Sequence, residues 1–202
     1  MVLRLLLPLH VTDAIQPLPI SSNDAVRPEG NPKADYVRYY LLGHGSHLVD
    51  TAQFLCGPIA AVRAQRIEKF GAYSWFINVD FADGSQGHLD LTLAVRMDWH
   101  EGFHVYGEHG SVVSKSLNPW YFRSADVECF STKDDAYHRP LGADSQVFRR
   151  QIEGLADTVL TGAPLQGANA QDGLSAMRVL AAISRSSETG ERVPVENFVG
   201  VI

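Results

Sequence analysis

The sequence predicts an α+β fold, an open and mostly antiparallel mixed sheet with helices packed on one face. Three observations predict it. A short apolar strand pattern and one helical pattern come first, about five or six strand patterns in sequential hairpins follow, and two helical patterns close the chain. Helices that are segregated from hairpin-connected strands are typical of this class.

The composition limits both the number of domains and the classes of partner. The 202 residues suit one ordinary domain, and we expect a single domain over 1–202. A formal net charge of −6 without a concentrated basic stripe argues against nucleic acid as a partner. Cys56 and Cys129 fit neither a disulfide framework nor a zinc cluster, so we expect reduced thiols in a cytoplasmic protein.

The first 38 residues predict a strand and a long loop. "MVLRLLLPLH" is apolar, but the run is short, Pro8 interrupts it and no small-residue cleavage site follows, so a signal peptide is disfavoured. We expect a buried strand. The stretch 13–35 is rich in Pro, Asn, Asp and Ser and predicts a surface loop. No run of the chain is long enough to cross a membrane, so no membrane partner is expected.

A helical pattern begins at His44 and continues to Phe54. Apolar residues recur there at intervals of four and three, which gives one apolar face. Gly57 followed by Pro58 is a typical helix end. The apolar face comprises Leu48, Ala52 and Leu55.

Strand patterns follow, and the clearest is a hairpin. "IAAVRAQRIEKF" predicts a strand, and "SWFINVDFADGSQGHLDLTLAV" predicts two strands around the turn Asp83-Gly84. "GFHVYGEHGSVVSK" and "DVECFS" predict three more strands. One face of the hairpin is apolar and should meet the closing helices, whereas the other is polar apart from Phe76. The apolar face carries Trp75, Ile77, Val79, Phe81, Leu89, Leu91 and Leu93.

Two helices and an extended tail end the chain. The first follows from the spacing of Phe148, Ile152, Leu155 and Val159, with Gly162 and Pro164 as its stop. Asn169 is placed to cap the second, with Asp172 in its first turn, and Gly190 ends it. The residues that give the second helix a broad apolar surface are Leu174, Met177, Leu180, Ala181 and Ile183.

The segment "GHGSHLVD" concentrates chemistry at the predicted start of a helix and admits three functions. Gly43-x-Gly45 would suit a nucleotide loop, but Leu48 stands where a third glycine is needed. His44, His47 and Asp50 would suit zinc or iron, but Asp50 is rotated away from His44 on a helix. A histidine at a helix N-terminus would also suit proton transfer beside a developing oxyanion. The competing structural interpretation is a hydrogen-bonded core histidine.

Several segments together resemble the Gfo/Idh/MocA oxidoreductases, the family of glucose–fructose oxidoreductase and inositol dehydrogenase. "GHGSHLVDTAQFLCGP" resembles the family's catalytic helix, and "FADGSQGHLDL" and "HVYGEHGSVV" resemble its hairpin and following turn. "DTVLTGAPLQGANAQDGLSAMRVLAAISRSSETGERVPV" is similar to its closing helices. The resemblance spans 39–195, leaving 196–202 as a tail. It covers the second domain of these enzymes only, without the Rossmann domain that binds NAD(P).

The resemblance assigns roles to the histidine segment. His47 matches the catalytic histidine, which pairs with the hydroxyl group being oxidised. His44 and Asp50 are the candidate substrate-binding residues beside it. Gly43 occupies the place where the family often has an aspartate, which leaves the imidazole without that partner. The segment Glu68-Lys69-Phe70 lacks the proline of the family's lysine motif.

The resemblance implies a C-terminal substrate-binding and oligomerisation domain of an NAD(P)-dependent oxidoreductase that acts on a sugar, a polyol or a derivative. NAD(P) is implied for the full-length protein, whereas this chain should bind neither the cofactor nor a metal ion and should be inactive alone. A homo-oligomer is expected through the open face of the sheet, near Phe76. The alternative is a stand-alone, non-catalytic binding or assembly module descended from that domain.

Overall fold

The computed structural model describes residues 2–8, 30–31, 33–97, 100–117, 125–141, 147–196, 198–200 and 202. Within them it confirms the predicted α+β class. The elements in chain order are β1 (Val2–Pro8), α1 (Tyr36–Cys56), β2 (Ile59–Lys69), β3 (Ala72–Phe81), β4 (Gln86–Val95), β5 (His100–Gly107), β6 (Gly110–Ser116), β7 (Ala125–Ser131), β8 (Ala136–His138), α2 (Val147–Thr161), α3 (Ala170–Thr189) and β9 (Val193–Pro194).

The nine strands form one open sheet in the order β8-β7-β6-β5-β1-β4-β3-β2-β9. The N-terminal strand β1 joins two antiparallel halves, because it pairs parallel with β4 and antiparallel with β5. The described residues between Ile59 and His138 contain seven strands, against the five or six predicted. The additional strand is β8, which is only three residues long and has no alternating apolar pattern.

The first helix begins eight residues earlier than predicted. It starts at Tyr36, where the Asp35 side chain accepts a hydrogen bond from the Arg38 backbone N–H at 3.0 Å, as an N-cap does. The prediction of a start at His44 was therefore wrong. Tyr40 and Leu41 are buried and extend the apolar face toward the N-terminus, so tertiary packing selects the helix. The predicted end at Gly57 is confirmed, because its N–H bonds the Gln53 carbonyl.

The predicted hairpin is confirmed with its faces as expected. Strands β3 and β4 pair antiparallel, with Trp75 opposite Leu91 and Ile77 opposite Leu89. All four of these side chains are fully buried beneath α1 and α3. Gly84 has a φ of 89°, the left-handed conformation that the turn needs. The hairpin therefore supplies the centre of the core.

The two closing helices differ in a way that the sequence did not predict. The predicted cap of α3 is confirmed and forms a capping box: Asn169 accepts from the N–H groups of Gln171 and Asp172, and Asp172 accepts from the Asn169 N–H. This helix packs on β2 and α1. Its residues Leu174 and Met177 nevertheless remain 45% and 43% exposed, so only part of the predicted apolar surface is covered.

The expectation that both closing helices pack on the sheet is wrong for α2. It has no buried residue among those described. Its apolar side chains recur at intervals of three and four and form one line of partly exposed residues along the helix. We call this line the α2 stripe; it comprises Phe148, Ile152, Leu155 and Val159, which are 53%, 70%, 56% and 75% exposed.

Candidate functional site

Solvent-facing residues follow one another along the whole of α1. Their intervals of seven, four, three and four residues place them on one face of the helix. His47 is exposed near the middle, and Phe54, close to the C-terminal end, is 86% exposed. We call this face the α1 stripe; it comprises Tyr36, Gly43, His47, Asp50 and Phe54.

The structure excludes two interpretations that depended on a helix start at this segment. Gly43 and Gly45 lie inside α1, so they form no phosphate-binding turn, and the nucleotide-loop interpretation is wrong. His47 lies eleven residues beyond Tyr36, the first residue of the helix. The free N–H groups of a helix belong to its first turn, so they cannot stabilise an oxyanion at His47. Any proton transfer there depends on the imidazole itself.

Gly45 is a packing residue that the sequence analysis did not identify. A Cβ atom at this position would lie 2.9 Å from Leu180 Cδ2 and 3.1 Å from Leu41 Cδ1. The glycine therefore allows α1 to approach α3 closely. This approach holds the central part of α1 rigidly against the core, and His47 with it. The signal was a glycine on the apolar face of a helical pattern.

His44 lies between the core and the α1 stripe and is half-buried. Burial, and to a smaller extent the nearby charge of His47, together lower the pKa of His44 from its ordinary 6.5 to about 4. The ring of His44 lies 6.3 Å from the ring of Tyr40, which in turn lies 5.3 Å from Tyr73. His44 is therefore a neutral imidazole at neutral pH, beside a cluster of aromatic rings.

His47 and Asp50 are both available for a ligand. Among the described residues, neither side chain has a hydrogen bond or a salt bridge. A Cβ atom on Gly43 would have no neighbour within 4 Å, so the position one turn before His47 is open space. No group of three or more His, Cys, Asp or Glu side chains is placed to hold a metal ion in the part of the chain that the structure describes.

A cleft of about 330 Å³ opens at the C-terminal end of α1. It lies between this helix and the N-terminal end of α3, and Asp50 is the one predicted site residue among its described lining residues. The sequence did not indicate the other lining residues as a site, because α1 and α3 are distant in the chain. The lining that carries chemistry comprises Asp50, Gln53, Phe54, Asp172 and Ser175.

Two further findings concern the whole of the described chain. Neither Cys56 nor Cys129 takes part in a disulfide bond with another described residue. None of the helices in the described ranges combines the length and apolar character needed to cross a bilayer.

Three of the solved structures that share this fold are described as oxidoreductases or as a dehydrogenase. A proposed NADPH-dependent oxidoreductase from Desulfitobacterium hafniense matches with a TM-score of 0.73 and 16% identity, over 98% of this chain and 57% of its own length. Aldose-aldose oxidoreductase from Caulobacter crescentus, solved with glycerol, matches with a TM-score of 0.69 and 17% identity, over 96% and 54%. A proposed myo-inositol dehydrogenase from Sinorhizobium meliloti matches with a TM-score of 0.64 and 19% identity, over 96% and 56%.

These likenesses establish the fold, and the chain spans just over half the length of each of these proteins. No curated protein matches it. The family model described as "Oxidoreductase family, C-terminal alpha/beta domain" matches residues 40–195, which is most of the chain and includes most of α1, the strands from β2 to β9, and both closing helices. The chain belongs to the Gfo/Idh/MocA oxidoreductase family, as its C-terminal alpha/beta domain.

Proposed function

We propose that this chain is the substrate-binding and assembly part of an NAD(P)-dependent oxidoreductase that acts on a sugar, a polyol or a derivative. The observation that carries the proposal is the position of His47. Its imidazole is exposed and unpaired among the described residues, yet it stands on a helix fixed in the core through Gly45. A free side chain on a rigid support suits a group that must meet a substrate.

The chemistry assigned to this chain is proton transfer at the substrate hydroxyl. As the carbon is oxidised, the hydroxyl proton passes to an imidazole nitrogen of His47, and the carbon–hydrogen bond supplies the hydride. Accepting that hydride is the chemistry of the nicotinamide. The segment around Gly43 and Gly45 does not suit the dinucleotide, because both glycines are helical and form no phosphate-binding turn. In this proposal the cofactor is held by another part of the protein.

Two exposed surfaces support the proposal that further protein completes the site. The α1 stripe places His47 on an open surface rather than in a closed pocket, and three apolar side chains of the α2 stripe, Ile152, Leu155 and Val159, are each more than half exposed. Apolar lines of this kind are typical of surfaces that pack against another element. The solved relatives are longer than this chain, which covers 54–57% of the three described above.

The open face of the sheet is the proposed assembly surface. The strand register places large, exposed side chains from both halves of the sheet on the face opposite the helices. Between them lie polar pairs such as His88 with Asn78, whose Nδ1 and Oδ1 are 3.0 Å apart. Mixed apolar and polar surfaces are common in interfaces, and two such faces would form an isologous dimer. The large side chains are Ile67, Phe76, Tyr106, Val113 and Tyr137.

The test of the proposed activity uses the complete reading frame that contains this sequence. The expressed product is incubated with NAD⁺ or NADP⁺ and a panel of aldoses, inositols and linear polyols, and reduced cofactor is followed by its absorbance. Turnover of at least one sugar or polyol is expected. A product that turns over none of them, or a frame that encodes no dinucleotide-binding domain, would instead favour the stand-alone binding or assembly module.

A further inference from the structure

We propose that the cleft between the C-terminal end of α1 and the N-terminal end of α3 binds the hydroxyl groups of a neutral sugar or polyol. Its volume of about 330 Å³ lies at the lower end of the range for small-molecule sites. The inference deepens the proposed function, since it names the residues that would hold the part of the substrate remote from His47. It concerns binding by this chain alone.

The cleft presents hydrogen-bonding groups that the fold leaves unused. Gln53 Oε1 accepts from Ser175 Oγ at 3.0 Å and from the Ile59 N–H at 3.4 Å. These two bonds fix the orientation of the amide, and its Nε2 donors have no partner among the described residues. Asp172 uses Oδ2 to accept from the Asn169 N–H at 2.8 Å, which leaves Oδ1 available.

These groups match the chemistry of neighbouring hydroxyls. A hydroxyl both donates and accepts a hydrogen bond. One hydroxyl can therefore donate to a carboxylate of Asp50 or Asp172 while accepting from the Gln53 amide, and its neighbour can use the other carboxylate. A cleft lined by two carboxylate acceptors and an amide donor is thus better suited to a polyol than to an apolar ligand.

An exposed aromatic ring supplies the apolar contact that a sugar requires. Phe54 is 86% exposed although it lines the cleft. The face of an aromatic ring carries partial negative charge, and the C–H groups of a sugar ring carry the opposite polarity. A sugar held by its hydroxyls can therefore pack its C–H face against Phe54. We assign this contact as the role of the exposed phenylalanine.

The charges of the cleft favour a neutral ligand over an ionic one. Its described lining contains two carboxyl groups, Asp50 and Asp172, and no lysine or arginine, so a phosphate or a sugar acid would be repelled. A metal ion is also disfavoured, because the described residues place no third acidic or histidine ligand there. Asp50 lies one helical turn beyond His47, so a bound sugar can extend along the α1 stripe toward the imidazole.

The experiment is a titration of the isotopically labelled chain with D-glucose and myo-inositol, followed by amide resonances in NMR spectra. Saturable shifts are expected at the Gln53 side-chain amide and around Asp50, with glucose 6-phosphate binding more weakly than glucose. Phe54→Ala and Asp50→Asn should each weaken the affinity at least about tenfold. The matched control is Phe70→Ala, which removes a phenylalanine that is fully exposed at the β2–β3 turn.

Three results would overturn the proposal. They are an absence of saturable shifts up to ~100 mM sugar, an affinity unchanged in both Phe54→Ala and Asp50→Asn, and tighter binding of glucose 6-phosphate than of glucose. Because Phe54 is exposed, its replacement should not unfold the chain, and Asp50→Asn gives a second variant. Sugar binding by this chain does not require that the activity of the complete protein depends on His47. The binding experiment and the activity experiment therefore test the two proposals independently.

Discussion

Gly43 and Gly45 lie two residues apart on α1 and have opposite surroundings. A Cβ atom at Gly43 would meet nothing within 4 Å, whereas one at Gly45 would lie 2.9 Å from Leu180 Cδ2. The first glycine leaves an open position on the stripe that carries His47, and the second allows the helix to seat against α3. One short segment thus combines a free surface with a close contact to the core.

This contrast predicts opposite effects of alanine at the two positions. Gly43→Ala should raise the free energy of unfolding by about 0.5–1 kcal/mol, because alanine favours the helix and space is available. Gly45→Ala gains the same propensity, but forces the buried Leu180 side chain to move, and overpacking costs about 1–3 kcal/mol. We expect a net loss of about 1 kcal/mol. Urea unfolding of both variants measures this, and equal shifts of the two midpoints would contradict it.

Because His44 is half-buried, we expect the free energy of unfolding to decrease in mild acid. Burial lowers the pKa of this imidazole from its ordinary 6.5 to about 4, so between these values the unfolded chain binds the proton more readily than the folded chain. Above pH 6.5 His44 is neutral in both states and does not lower the free energy of unfolding. As the pH falls from 6.5 toward 4, the free energy of unfolding decreases, because the unfolded chain takes up a proton that the folded chain does not. Allowing for solvent screening of a half-buried group, the decrease amounts to on the order of 2 kcal/mol.

Urea unfolding at several pH values tests this prediction with a matched pair of variants. His44→Gln should show a flatter dependence between pH 6.5 and 4 than the unaltered protein. His109→Gln, which alters an exposed histidine, should keep the original dependence. An unchanged profile in His44→Gln would show that burial of this imidazole does not control the acid response.

The open sheet face predicts self-association through Phe76. The chain should be a dimer, or a larger even-numbered assembly, at micromolar concentration, as measured by light scattering. Phe76→Asp places a charge in the proposed interface and should weaken the dimer at least about 100-fold. Phe70→Asp makes the same exchange at an exposed turn and should leave the dimer intact. A monomer in the unaltered protein would refute the assembly, and an intact Phe76→Asp dimer would place the interface elsewhere.

The chain alone should not bind NAD(H) or NADP(H) with useful affinity. The physical reason is that Gly43 and Gly45 are helical, so this segment offers no exposed N–H groups to a pyrophosphate. Calorimetric titration measures the affinity directly. Binding in the micromolar range would mean that a dinucleotide site exists that the glycine pattern does not reveal.

The sequence predicted those elements whose local signals agree with their tertiary environment. The alternation around Trp75 and Leu91, the turn at Gly84, and the Asn169 capping box each specify one local geometry that the fold then uses. The start of α1 could not be read in the same way. Its N-cap Asp35 follows a proline-rich stretch, and the tyrosines after it favour a helix only because they pack against Tyr73 and the core.

The cleft could not be predicted because it depends on distant contacts. Gln53 and Ser175 are 122 residues apart in the chain, and only the packing of α1 on α3 brings them within 3.0 Å. The exposure of the α2 stripe was also hidden, because helical periodicity identifies an apolar face without identifying what covers it. His47 was found through a family motif, whereas its position in mid-helix required the structure.

The most direct test of the central claim is the kcat of His47→Gln in the complete protein, on the sugar or polyol that is turned over best. If this imidazole takes the hydroxyl proton, kcat should fall by about 10²–10⁴-fold. His109→Gln, which alters an exposed histidine at the β5–β6 turn, should stay within about twofold of the unaltered protein. A His47→Gln variant that retains full kcat would contradict the account.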